Sequence, residues 1–301
     1  MQHNKNNYNE DCLRTIGDGP HLISIEIPVI WGSHLKQVME SIRDQSFGDY
    51  EIIIVDSSSD VETVEIANEF GAVLFPGPKS LLEARWLGHK KSRGERELFL
   101  DETRLLSKDA LERLNEMTED MVVIGEREVG NGLWIRLADL DKQISMHYNL
   151  DKLSPEFGFI LPRFFKREVL DYSFQILLEK MGSEVFSKVV HIDHQLIYRE
   201  AYNFSTSVGI IRTPLIFHFG DESFGKIARK YYRYGKSDRI KRNVPYLKSL
   251  TIRKRRRIVP ALKDKVILIP LYSAIWNNFP RDQYSIQLYM KILLQNRAGK
   301  V

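Results

Sequence analysis

The sequence predicts an α/β fold: a mostly parallel, Rossmann-like sheet flanked by helices, followed by a basic helical extension at the C-terminus. Three observations carry that expectation. Short apolar runs alternate with helix-period segments four times between residues 21 and 117, the order of right-handed βαβ units. The run "EIIIV" at 51–55 is continuous rather than alternating, as in a parallel strand buried on both faces. Charge is split along the chain: residues 1–220 hold 24 Lys and Arg against 35 Asp and Glu, and residues 221–301 hold 20 against 5, a net of −11 followed by +15.

The elements follow in order. "HLISIEIPV" at 21–29 reads as a strand through Ile23, Ile25 and Ile27. Ser33 caps a helix to Asp44, with Leu35, Val38, Met39 and Ile42 at helical spacing. The strand 51–55 ends on Asp56. A helix runs from about Val61 to Phe70 and closes at Gly71. Strand 72–75, helix 80–91, strand 98–100 and helix 107–117, capped by Ser107, complete the alternation. Further strands are expected at 121–125, 159–161 and 208–217, the last ending on His218. From Glu222 a helix sets Phe224, Ile227, Ala228 and Tyr231 on one face and Lys226, Arg229, Lys230 and Arg233 on the other.

Length and composition narrow the classes. The chain has 301 residues, 43% hydrophobic and 28% charged, ordinary for a globular protein. Cys12 is the one cysteine, which leaves neither a disulfide framework nor a cysteine metal cluster. Residues 1–20 lack an apolar core and read as a flexible tail, 21–220 as the sheet domain and 221–301 as the basic extension. The segment "VILIPLYSAIW" at 266–276 is shorter than the roughly 18–20 apolar residues of a membrane span.

Three acids stand at informative places. Asp56 and Asp101 end strands, and the carboxyl ends of parallel strands line a ligand crevice. Asp193 lies in "HIDHQLIYREA". A nucleotide diphosphate there needs acceptors for its base and ribose and positive groups for its pyrophosphate. Transfer of a group to a hydroxyl needs a general base. Each acid has a plainer reading: Asp56 and Asp101 cap the turns or helices that follow, and Asp193 sits on the surface at a helix start.

From Ile23 to Leu114 the sequence resembles the nucleotide-sugar half of family-2 glycosyltransferases, which have the A-type glycosyltransferase fold. The matching pieces are "ISIEIPV", "SIRDQSF", "EIIIVDSSSDVETVEIANEFGA", "LLEARWLG" and "LFLDETRLLSKDALERL". A weaker likeness continues through "ILPRFFKREVL", "HIDHQLIYREA" and "FHFGDESFGKIARKYYRYG". The resemblance implies that 21–220 is the catalytic domain of an inverting, hexosyl-transferring enzyme using a nucleotide-diphosphate sugar. Pro28, Asp56, Ser57, Arg85 and Asp101 are then donor-binding positions and Asp193 is the catalytic base. A divalent metal, Mg2+ or Mn2+, is implied on Asp101 and His218.

The departures matter as much. Ser57 stands for the second acid after Asp56, Ile30-Trp31 for the usual Tyr-Asn, and Trp86 for the usual Asn after Arg85. Thr103 replaces the acid on which the family tends to place its metal, which weakens the expectation of a metal because hard cations want several charged oxygens. Glu102 does not substitute, since in an extended segment it faces away from Asp101; its loss is expected to matter little. Positioned cations can stabilise a leaving diphosphate instead, and Arg229, Lys230, Arg233 and Lys236 follow His218 directly, so the basic helix is expected to close over the phosphates, with Arg233 as a donor-binding residue.

"RKRRR" at 253–257, beside short apolar segments with Tyr and Trp, reads as a surface for anionic membrane. The expected acceptor is a glycan or polyprenyl-linked hydroxyl, and the expected location is cytoplasmic, peripheral at the inner face of the cell membrane. The basic residues match no readout motif, so no specific nucleic acid is expected.

Overall fold

The computed structural model describes residues 23–148, 153, 155, 161–237 and 244–248. The expected tail at 1–20, nearly all of the expected strand at 159–161, and the basic and apolar segments beyond 248 lie outside them.

The chain forms one eight-stranded mixed sheet. Strand β1 (Ile23–Val29) lies between β2 (Tyr50–Asp56) and β4 (Arg96–Phe99), parallel to both, and β3 (Val73–Pro76) extends the sheet beyond β2. On the other side β7 (Phe164–Lys166) runs antiparallel to β4 and to β6 (Met121–Val129). β8 (Val208–Phe219) pairs parallel with β6 and antiparallel with β5 (Arg104–Leu106), giving the order β3-β2-β1-β4-β7-β6-β8-β5. The chain winds outward from β1 to β3 and returns to the far side of β1 at β4, so a crevice opens where the order reverses.

Pro28 shapes that crevice. Glu26 O accepts from Leu100 N at 3.0 Å, so the polar groups of Glu26 face β4. With the strand period of two, the nitrogen of Pro28 faces the same side, past the last paired residue, Phe99. A residue without N–H stands where the ladder stops.

β1 alternates in type but not in burial: Ser24 and Glu26 are as buried as the isoleucines. The cause is helix α3 (Leu81–Lys91), which covers their face and brings Gly88 against Glu26. On the opposite face α1 (Leu35–Arg43) buries Leu35, Val38, Met39 and Ile42, as its spacing requires. α2 (Val61–Glu69) begins at Asp60, whose side chain accepts from Glu62 N, and ends before Gly71 at φ +68°.

Two expected caps are corrected. Gly32 takes φ +71° and its carbonyl accepts from Leu35 N, so the turn moves the start of α1 on to His34, and Ser33 does not cap it. Ser107 Oγ donates to Asp109 Oδ1, and α4 (Ala110–Asn115) starts from Asp109.

Four elements went unexpected: β5, α5 (Leu133–Tyr148), β7 and α6 (Arg167–Phe186). α7 (Asp193–Phe204) packs with α6 and α3 over the β4–β7 face, in a core containing Phe99, Phe165, Phe174, Leu177 and Leu196. Fully burying such a side chain stabilises the fold by roughly 1.5–3 kcal/mol. The basic helix is present as α8 (Phe224–Ser237), and a short α9 (Pro245–Lys248) follows. Among the described residues no helix is long and apolar enough to cross a membrane.

Candidate active site

Arg85 gathers the acids. It lies on the buried face of α3 and is 0% exposed. Its Nη2 donates to Asp101 Oδ1 at 2.5 Å and its Nε to Asp193 Oδ2 at 2.8 Å. Nη1 lies 3.5 Å from Leu100 O and 3.8 Å from Glu26 Oε1, and the guanidinium rests 4.9 Å from the centre of the Phe99 ring. Residues from β1, β4, α3 and α7 thus meet at one buried cation.

Burial in a dry site disfavours the ionised form of a carboxyl unless nearby cations oppose it. Burial would raise Asp101, but Arg104, Arg85 and Arg163 hold it far below the usual carboxylate range. Burial raises Asp193 above its ordinary value, against the pull of Arg85. Burial also raises Glu26, well above its ordinary value, with Arg85 only partly opposing, and neither carboxyl oxygen of Glu26 has a hydrogen bond among the described residues. The arrangement is a charged Arg85–Asp101 pair beside two carboxyls, Asp193 and Glu26, that burial raises above their ordinary values.

Arg85 was expected to contact the donor's base or phosphates. Its donors are instead turned to the two acids, because α3 packs against β1 and β2 and leaves its guanidinium no solvent face. The plain surface reading of Asp193 is also corrected: it is the first residue of α7, 5% exposed.

Glu102 faces away from Asp101, as the extended geometry requires, but it is not idle. Its Oε2 accepts from Ile30 N at 3.1 Å, Trp31 N at 3.1 Å and Gly32 N at 2.7 Å. Burial raises this carboxyl, and the three backbone hydrogen bonds oppose the rise. The expectation that its loss matters little gives way to a clamp across the crevice.

Asp56 is 2% exposed, and its Oδ1 accepts from Ser58 N at 2.8 Å and Ser58 Oγ at 2.6 Å, closing the turn after β2. Ser57 Oγ donates to Pro78 O at 2.5 Å. These contacts fit the turn-closing reading of Asp56 and place both residues at the crevice rim. Arg233 is exposed on α8, its Cζ 6.0 Å from the centre of the Trp31 ring, and Trp31 is 67% exposed. The basic helix therefore lies beside the loop after β1. Lys230 is tied to Asp221 at 3.0 Å.

The expected pair of metal ligands is not brought together as one. Asp101 Oδ1 is taken by Arg85, and its Oδ2 by Arg104 Nη1, with Arg163 Nη1 at 3.5 Å. His218 Nδ1 is turned to Glu128 Oε2 at 2.9 Å; burial and the Arg104 charge lower the imidazole to about 4. Among the described residues no group of three His, Cys, Asp or Glu could hold a metal. A divalent cation needs several oxygen ligands, and these residues do not fit one on Asp101 and His218.

Two cations of this site were missed in the sequence. Arg104, in β5, pairs with Asp101 and is the register partner of His218. Arg163, just before β7, contacts Asp101 and Glu126 and lies 3.4 Å from His194 Nε2. Arg104 lies three residues after the strand-end acid and could have been suspected. Arg163 carried no signal, because its place depends on β7 crossing beside β4.

The α/β sheet thus sets two acids on one arginine at the crevice where its strand order reverses. Residues 32–173 match the model of Glycosyl transferase family 2, and the chain carries a family-2 glycosyltransferase domain. Among solved structures, a fragment of S. aureus TarS, residues 1-349, is similar at 15% identity and TM-score 0.50, covering 85% of this chain and 79% of that one. The mannosyltransferase PcManGT from Pyrobaculum calidifontis, in complex with GDP-Man and Mn2+, aligns at 14% identity and TM-score 0.46 over 73% of this chain and 62% of that one. Glucosyl-3-phosphoglycerate synthase from Mycobacterium tuberculosis, with Mn2+ and UDP, aligns at 18% identity and TM-score 0.42 over 73% and 80%. At these identities the likeness concerns the fold, which is the A-type glycosyltransferase fold. No curated protein matches the chain significantly in sequence.

Proposed function

We propose that the protein is an inverting glycosyltransferase that moves a hexosyl group from a nucleotide-diphosphate sugar to a hydroxyl of a glycan or lipid-linked acceptor. The observation that carries this reading is the setting of Asp193. Arg85 holds its Oδ2 at 2.8 Å, and its Oδ1 makes no hydrogen bond among the described residues. One oxygen is fixed and the other is open to a hydroxyl. The burial that raises this carboxyl brings it closer to working pH, which suits a general base.

The acceptor oxygen attacks the anomeric carbon from the side opposite the diphosphate. Its proton passes to Asp193 Oδ1. The bond from the anomeric carbon to the phosphate oxygen breaks, the diphosphate leaves with the electron pair, and the configuration inverts. Pro28, Asp56, Ser57 and Asp101 border the donor's place, with Arg85 acting through Asp101 and Asp193. The charge of +15 over residues 221–301 favours an anionic membrane, so the protein works peripherally at the cytoplasmic face on a lipid-linked or surface glycan.

Release of UDP or GDP from a panel of their sugars, with and without free or polyprenyl-linked glycan acceptors that carry sugar hydroxyls, tests the reading. Turnover supports it. Donor binding without any turnover favours the second reading, a family member that binds nucleotide sugars without transfer, to which the engagement of both Asp101 oxygens lends support.

A further inference from the structure

We infer that Arg104 and Arg163 receive the donor's diphosphate where a divalent metal would otherwise sit, so that donor binding is independent of metal. This rests on the nucleotide-sugar reading above and names the groups that take the charge.

Position comes first. Arg104 bonds Asp101 and is the register partner of His218, so its guanidinium is next to both residues expected to hold a cation. Arg163 reaches Asp101 and Glu126 and comes within 3.4 Å of the ring of His194, the neighbour of Asp193. The two arginines thus flank the strand-end acid on the side away from Arg85, and Arg163 also reaches the neighbour of the base, so the leaving group is placed against them.

Unused donors come second. A guanidinium offers five N–H donors. Arg104 commits Nη1 to Asp101 and makes no hydrogen bond through Nη2 among the described residues; its Nε, 3.6 Å from Glu126 Oε1, is buried. Arg163 uses Nε and Nη1 and makes no hydrogen bond through Nη2 among the described residues. Unlike Arg85, both keep some exposure, 14% and 13% of the side chain. They can meet a ligand that Arg85 cannot.

Charge comes third. Asp101 and Glu126 are shared between the two arginines, and Lys142 also claims Glu126 and Glu128 at 2.8 Å each. Within this network both guanidiniums keep a terminal nitrogen with which an incoming anion can bond. Their planar forks match phosphate oxygens two at a time, and the flanking carboxylates fix them beforehand, as stabilisation of a leaving diphosphate requires.

The test is titration calorimetry of the full chain with UDP and GDP, each in EDTA and in Mn2+. One nucleotide is expected to bind equally in both. Arg104→Gln and Arg163→Gln are each expected to weaken it about tenfold or more, the worth of a charge-assisted hydrogen bond, and Arg163→Lys less. Circular dichroism of each variant separates lost contacts from lost fold; if a Gln variant unfolds, the folded Arg163→Lys, with its charge kept but its fork lost, must still bind measurably worse. Binding only in Mn2+ overturns the inference and leaves the donor reading standing. Normal affinity in both Gln variants overturns it likewise. If neither nucleotide binds under any condition, the donor reading falls and the inference with it.

Discussion

Gly32 N lies 2.7 Å from Glu102 Oε2, tying the loop after β1 to the segment after β4 across the mouth of the crevice. Trp31 N and Ile30 N end on the same oxygen. Glu102→Ala leaves these donors without their acceptor, and an unsatisfied buried donor costs about 1–3 kcal/mol. The loop carries Trp31, so nucleotide affinity is expected to fall together with the urea midpoint. Glu102→Gln keeps an acceptor oxygen and is expected to be milder. An unchanged midpoint in the Ala variant means that the loop is held by other contacts.

Asp193→Asn keeps an oxygen for Arg85 Nε and removes the base. Transfer is expected to fall about 10²–10⁴-fold with nucleotide affinity near normal. The Asn variant is preferred to Ala, which strips a buried guanidinium of one of its partners. Near-normal turnover removes Asp193 from the proton transfer.

Much of the first half of the fold was legible because its signals are local. The continuous run of β2, the helical spacing of Leu35, Val38, Met39 and Ile42, and Gly71 after α2 each act within a few residues. β5 is three residues with no period and exists because β8 lies alongside. β7 is equally short and is placed by β4 and β6. The site divides the same way. Asp101 and Asp193 were readable as acids at telling positions, but that one arginine holds both is a tertiary fact. Ser33 and Ser107 misled because a capping residue type does not say whether the backbone turns one or two residues later.

Gly88 marks a close approach that propensity alone misjudges. Ala is favoured over Gly in a helix by about 1 kcal/mol. A Cβ at Gly88, however, would overlap Glu26 Cγ and lie 2.6 Å from Cδ, and Glu26 is fully buried. Overpacking of this kind costs about 1–3 kcal/mol, so Gly88→Ala is expected to destabilise. Combining it with Glu26→Ala opens the space, and the double variant should be more stable than the sum of the singles. Simple additivity in denaturant titrations rules out the contact.

The basic end makes a separate prediction. Residues 221–301 carry 20 Lys and Arg against 5 Asp and Glu. Near an anionic surface each basic residue gains roughly 1 kcal/mol, screened by salt. The full chain is expected to co-sediment with anionic vesicles at low ionic strength, and neutralising Arg253, Lys254, Arg255, Arg256 and Arg257 should weaken this without shifting the thermal midpoint. If the chain stays in the supernatant, the peripheral assignment fails and a lipid-linked acceptor loses its main support.

His89 gives the fold a pH dependence of definite sign. Its Nδ1 lies 2.8 Å from Glu97 Oε1 and its Nε2 3.0 Å from Asp171 Oδ1. Burial alone would lower it, and Arg167 also opposes its charge, but the Glu97 hydrogen bond and the charges of Glu97 and Asp171 raise it above its ordinary value of 6.5. The folded state therefore binds this proton more tightly than the unfolded chain does. The resulting stability is fully present below about pH 6.5 and is lost as pH rises through the folded value. His218 works in the opposite window: lowered to about 4 by burial and Arg104, it contributes stability above 6.5 that is lost as pH falls towards 4. His194, also lowered by burial, follows His218 in sign. Urea midpoints taken from about pH 6.5 upward therefore exclude His218 and His194; the buried Glu26 and Asp193, also raised, lose stability in the same direction in both proteins, so the comparison with His89→Gln isolates His89. The midpoints are expected to decline in the wild type and to decline less in His89→Gln, which cannot be protonated. Equal slopes for the two proteins would show that His89 is already neutral in the folded state.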